Sequence, residues 1–142
     1  MTGPYRGSCL CGAVQFEIDE FMPQAAHCHC SMCRKFHGAA FATLASVPRA
    51  GFRWLGGADA LQSYTAANGT TRRFCRHCGS SLTFYSPRAP KDVVEVALGA
   101  MDTDVPISPS AHIFVGSGAN WTTIGDDLPR YEERRGSALK HS

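Results

Sequence analysis

His27-Cys28-His29-Cys30-Ser31-Met32-Cys33-Arg34-Lys35 is the stretch on which the fold turns. Three cysteines fall within six residues. Side chains so close in sequence are awkward partners for unstrained disulfides, but they converge readily on one metal ion. The same pattern recurs on either side, as Cys9-Leu10-Cys11 and as Cys75-Arg76-His77-Cys78. All seven cysteines of the chain belong to these three clusters. Seven is odd, so a disulfide framework would leave one thiol over. Buried thiols acting only as small hydrophobes would be scattered rather than clustered. The spacing therefore predicts a metalloprotein.

Composition narrows the class. The chain has 142 residues, 44% hydrophobic and 18% charged, which excludes a disordered or highly charged protein. The formal net charge of +2 makes no electrostatic case for nucleic acid or for a polybasic membrane contact. With every cysteine a thiolate ligand of two Zn²⁺, it would fall to about −1. No stretch approaches the length of a membrane span, and Met1-Thr2-Gly3-Pro4-Tyr5-Arg6 opens on no apolar leader core. The expectation is a cytoplasmic protein with reduced thiols. It reads as one zinc domain, residues 1–131, and a polar, frayed tail, residues 132–142. An oligomer is compatible with the sequence.

Outward from the cysteines the pattern is short strands. Residues 13–18 alternate polar and apolar, and residues 39–47 are nearly all apolar. Residues 52–55 and 61–65 flank Gly56-Gly57 and read as a hairpin. Residues 70–75 and 81–85 flank the last cysteine pair, and residues 93–98 and 111–115 complete the set. Only residues 31–36 look helical, with Ser31 as the expected N-cap. The fold class is mainly β.

Seven thiols do not fill two tetrahedral sites, so four plus three is the natural division. Cys28, Cys30 and Cys33 form one local face. Cys9 and Cys11 then join Cys75 and Cys78, although spacing alone also allows Cys9 and Cys11 to pair with Cys28 and Cys30. A closed four-cysteine site is structural, whereas a three-cysteine site keeps a position open for substrate. A histidine among His27, His29, His37 and His77 is the competing fourth ligand. Neighbours of ligands point away on extended backbone, which directs His27, His29 and His77 toward solvent or behind the ligands.

The ordered segments resemble the glutathione-dependent formaldehyde-activating enzyme family, which also includes centromere protein V. The resemblance rests on Gly7-Ser8-Cys9-Leu10-Cys11-Gly12-Ala13-Val14, on the central stretch quoted above, on Arg73-Phe74-Cys75-Arg76-His77-Cys78-Gly79-Ser80, and on Pro109-Ser110-Ala111-His112-Ile113 with Trp121 and Leu128-Pro129-Arg130-Tyr131. It implies antiparallel sheets in the Mss4-like, or β-tent, fold. It implies a structural zinc on Cys9, Cys11, Cys75 and Cys78, and a catalytic zinc on Cys28, Cys30 and Cys33. It further implies a carbon–sulfur lyase-type enzyme, acting on a glutathione-like thiol and an aldehyde or on their S-hydroxyalkyl adduct.

An open three-thiolate zinc suits that chemistry, because it favours the thiolate form of a bound thiol. A tripeptide thiol carries two carboxylates, for which arginine is the usual clamp. Arg34 and Arg73, beside the clusters, are the candidate clamps, and His112 and Trp121 the candidate pocket residues. Two other classes fit the cysteines: a non-catalytic zinc module binding protein or nucleic acid, and a metal-storage or redox-sensing protein.

Overall fold

Short alternating segments broken by glycine and proline cannot sustain long helices, and the chain pairs them as strands instead. The computed structural model describes residues 3–140. In chain order its strands are β1 (Tyr5–Ser8), β2 (Gln15–Ile18), β3 (Ala25–Cys28), β4 (Ala42–Pro48), β5 (Phe52–Gly56), β6 (Leu61–Thr65), β7 (Thr71–Cys75), β8 (Ser81–Tyr85), β9 (Val93–Ala97) and β10 (His112–Ile113). The helix α1 (Ser31–His37) follows β3. The protein is mainly β, as expected.

The chain divides into two compact units. The first comprises the described residues up to Pro23 together with Ala45–Ile107. It holds an antiparallel sheet in the order β1-β2-β5 and strands in the order β4-β9-β8-β7-β6. Along β2, Phe16 and Ile18 are buried while Gln15 is exposed and Glu17 half-buried, the alternation expected of a half-covered sheet. Phe16 stacks on Phe52 at 5.4 Å and meets Trp54 edge-on at 5.9 Å. Val14, Val47, Leu82 and Val96 close the core around it. Truncating this fully buried ring removes both aromatic contacts and leaves a cavity. Phe16→Ala is expected to cost about 3–5 kcal/mol, read by denaturant unfolding.

The hairpin expected at Gly56-Gly57 does not form. Strand β5 pairs with β2, and β6 pairs with β7. The cause is local. Gly57 takes a left-handed φ of 84° and lies directly against the Ala13 carbonyl, where no Cβ fits. A turn follows in which the amides of Ala60 and Leu61 both donate to the Gly57 carbonyl, and it redirects the chain. A glycine pair reads as a hairpin from sequence, but here it is a corner.

The second unit comprises Gln24–Leu44 and the described residues from Ser108 onward. Its strand order is β10-β3-β4, and β10 runs parallel to β3, with His112 opposite His27 and Ile113 opposite Cys28. Cys30, not Ser31, is the N-cap of α1, and it makes no side-chain cap bond. Gly38 ends the helix at φ 60° with its amide on the Arg34 carbonyl. The tail is not frayed over residues 132–140. Glu132 N–H donates to Ala138, Lys140 N–H donates to Arg130, and the Arg135 guanidinium donates to the Ala25 carbonyl. These bonds leave no local signature in a polar sequence. Residues 141 and 142 lie outside the described residues.

Candidate metal centres and pocket

Cys9, Cys11, Cys75 and Cys78 all lie in the first unit. Each pair sits on a tight turn closed by a left-handed glycine. Gly12 donates to the Cys9 carbonyl at 3.0 Å, and Gly79 donates to the Cys75 carbonyl at 2.7 Å. Their φ values are both 81°. The turns are knitted together by the Leu10 amide, which donates to Ser80 Oγ at 2.8 Å. As a result the four sulfurs lie within 4.8 Å of one another, with Cys9–Cys11 at 3.6 Å and Cys11–Cys75 at 3.8 Å. A tetrahedral Zn²⁺ with sulfur at ~2.3 Å has S···S edges of about 3.8 Å. The donor set and its size fit such an ion.

Electrostatics point the same way. The Ser80 hydroxyl and the amides of Ser80 and Cys11 lower the Cys78 thiol to about 5. The Ala13 amide favours a thiolate on Cys11, but Cys9, burial, Cys75 and Cys78 outweigh it and hold that thiol at about 11. Four sulfurs this close cannot all be thiolates without a cation among them. The pairing of Cys9 and Cys11 with Cys28 and Cys30, which spacing allowed, is not the one the fold makes.

Cys28, Cys30 and Cys33 lie in the second unit. Cys28 ends β3, Cys30 caps α1 and Cys33 occupies its first turn. Cys28 and Cys33 are buried and Cys30 is half-buried. The hydrogen bond that the Cys28 thiol makes with Cys33, together with burial, pushes the Cys28 thiol well up. The Cys28 thiol interacts with both Cys33 and Cys30, so the three sulfurs are neighbours.

Of the histidines beside the triplet, His29 is buried and His27 half-buried. His29 is 2% exposed, and its Nε2 lies 2.8 Å from His112 Nδ1. His112 is equally buried, and its Nε2 donates to both Asp126 carboxylate oxygens at 3.1 and 3.0 Å. The His27 ring packs on His112 at 4.8 Å and on Phe41 at 4.5 Å, with Thr43 Oγ1 2.8 Å from its Nδ1. Burial, chiefly, with help from His112, His27 and Arg34, holds the His29 imidazole down to about 4, so it is neutral at pH 7. The His112 hydrogen bond lowers the Asp126 carboxyl.

A pocket of about 230 Å³ opens in this unit, lined among others by His29, Gly118, Thr122, Thr123, Arg130 and Lys140. Arg130 is oriented by donating to the carbonyls of Ile124 and Asp126. Arg34 donates from α1 to the Ser117 carbonyl at 3.1 Å, and its Nε is buried without a partner. Of the other sequence candidates, Trp121 is 67% exposed. Arg73 lies on β7 in the first unit, opposite Ser63 and Thr83. Sequence reasoning missed Asp126, Arg130, Lys140 and the two threonines. Arg130 stood in a quoted motif, while the others carry no local signal.

Fold and cysteine geometry together define a mainly β protein with a cluster of four cysteines that could hold a metal ion. The sequence profile described as "Glutathione-dependent formaldehyde-activating enzyme" matches residues 4–117, and the chain belongs to that family. A "Putative glutathione-dependent formaldehyde-activating enzyme" from Halomonas elongata is 33% identical over 125 residues, covering 83% of this chain and 79% of the relative. An "Uncharacterized lyase" from Schizosaccharomyces pombe is 26% identical over 80 residues, covering 56% of each chain. A crystal structure of a Rhodobacter sphaeroides protein superposes with a TM-score of 0.60 at 28% identity, covering 71% of this chain and 91% of that one. No helix among the described residues is long and apolar enough to cross a membrane.

Proposed function

We propose that this protein is an enzyme of carbon–sulfur bond chemistry, joining a glutathione-like thiol to formaldehyde or a related small aldehyde and running the reverse cleavage. We assign it two Zn²⁺ ions. Cys9, Cys11, Cys75 and Cys78 would hold a structural ion, and Cys28, Cys30 and Cys33 a catalytic one, within a fold of the β-tent kind. The observation that carries the reading is how the seven cysteines divide. Four converge in one unit, leaving the other three in the second, on either side of and just beyond His29, a pocket residue.

A cation at the triplet supplies positive charge that favours the thiolate form of a thiol at neutral pH. The chain's own residues do the rest. Arg130 and Lys140 offer two positive charges to a substrate's carboxylates, with Thr122 and Thr123 as neutral hydrogen-bonding partners. Arg34 braces the helix carrying Cys33 against the Ser117 loop. Sulfur adds to the aldehyde carbon, the carbonyl pair moves to oxygen, and that oxygen takes a proton to give a hemithioacetal. A composition rich in free thiols fits a reducing, cytoplasmic setting.

The test is exchange NMR of glutathione and formaldehyde at equilibrium with their S-hydroxymethyl adduct. The protein is expected to accelerate exchange, and more for glutathione than for cysteamine, which lacks carboxylates. Exchange at the uncatalysed rate with every thiol would overturn the assignment.

A further inference from the structure

Asp126, His112 and His29 form a hydrogen-bonded chain of side chains in the second unit. It starts at a half-exposed carboxylate and ends on a pocket residue. The direction of its hydrogens follows from chemistry. A carboxylate only accepts, so His112 Nε2 carries the hydrogen it gives to Asp126. In a neutral imidazole that leaves His112 Nδ1 bare, and the hydrogen of the 2.8 Å bond must then come from His29 Nε2. His29 Nδ1 is consequently the bare nitrogen. It faces Gly118, where a Cβ would sit 3.8 Å from it, and both residues line the pocket. The His29 amide is tied to the Ile113 carbonyl at 2.9 Å, so backbone and ring are both held.

We propose that Asp126 and His112 are positioning residues that fix His29 in one tautomer, so that its Nδ1 is a standing hydrogen-bond acceptor for a ligand hydroxyl in the pocket. This rests on the proposed function, because the S-hydroxyalkyl adduct of a thiol and an aldehyde carries such a hydroxyl and the free thiol does not. The device therefore favours the adduct over its thiol. The chain sets which nitrogen is bare.

Asp126→Asn tests it, and the side chain is exposed enough to accept the change. The carboxamide oxygen introduced there would keep the bond from the Leu128 amide that Asp126 Oδ1 now accepts at 3.0 Å. The carboxamide nitrogen would then face His112 and donate. That would reverse the chain, placing hydrogens on His112 Nδ1 and His29 Nδ1. The readouts are ¹⁵N spectra of histidine-labelled, metal-loaded protein and adduct kinetics. In the native protein His29 Nδ1 is expected to appear bare. In Asp126→Asn it is expected to carry the hydrogen, with kcat/KM for the adduct down about a hundredfold. Should that variant fold poorly, Asp126→Ala is expected to give mixed tautomers of both rings. A native His29 Nδ1 that carries hydrogen, or variant spectra and kcat/KM equal to native, would overturn the proposal. The spectra need no turnover. An inert native enzyme would sink the proposed function and leave the spectra to decide this inference.

Discussion

Cys75→Ser is expected to leave the chain largely unfolded, or melting far below the native protein, and without its structural metal. Cys75 is fully buried and sits where β7 turns. Its sulfur is 3.8 Å from that of Cys11, across 64 residues of sequence. A closed four-thiolate zinc contributes about 10–16 kcal/mol in small domains, comparable to the whole stability of about 5–15 kcal/mol. A serine hydroxyl is neither thiolate nor soft ligand, so most of that contribution is lost. Thermal melts followed by circular dichroism, with metal analysis, read the outcome. An unchanged melting temperature would mean that the four sulfurs do not hold the fold together.

Cys30→Ser is expected to do the opposite. Cys30 is half-buried and caps α1 without a side-chain bond. Serine is among the preferred N-cap residues, so the fold should hold within about 1 kcal/mol and can gain slightly. The triplet would lose one of its three proposed ligands, however. The protein is expected to keep one metal ion instead of two, and the thiol–aldehyde reaction to fall to its uncatalysed rate. If this variant unfolds as badly as Cys75→Ser, the triplet is structural too. If it stays active, the chemistry lies elsewhere.

The contrast between these two variants follows the line between what was legible in the sequence and what was not. The cysteine pairs that converge were legible because a spacing of two or three residues fixes local geometry before any fold exists, while which pairs join was left open until the fold placed Cys9 and Cys11 beside Cys75 and Cys78. Strand content was legible for the same reason: the alternation at Gln15–Ile18 and the β-branched run at Val93–Ala97 need no knowledge of partners. Pairing was not. Gly56-Gly57 carries a hairpin signal, and only the approach of Ala13 turns it into a corner. The N-cap moved by one residue because Cys30 takes the extended backbone that Ser31 was expected to have. In the site, neighbour-of-ligand reasoning placed His29 either toward solvent or behind the ligands and could not choose between them; the structure buries it. Its partner His112 is 83 residues away in the chain, and Asp126 lies further still. Only the pairing of β3 with β10 brings them within reach. Lys140 reaches the pocket only because the tail bonds back on Arg130.

The central claim is that Cys28, Cys30 and Cys33 hold a metal ion with a position open to sulfur. Its most direct test is a spectroscopic titration of the cobalt-substituted protein with glutathione and then with other small thiols. A saturable change in the thiolate-to-cobalt absorption at one of two bound ions, abolished in Cys30→Ser, is the predicted result. Two bound ions whose spectra respond to no thiol would contradict it and make the protein a zinc module whose metals serve the fold alone.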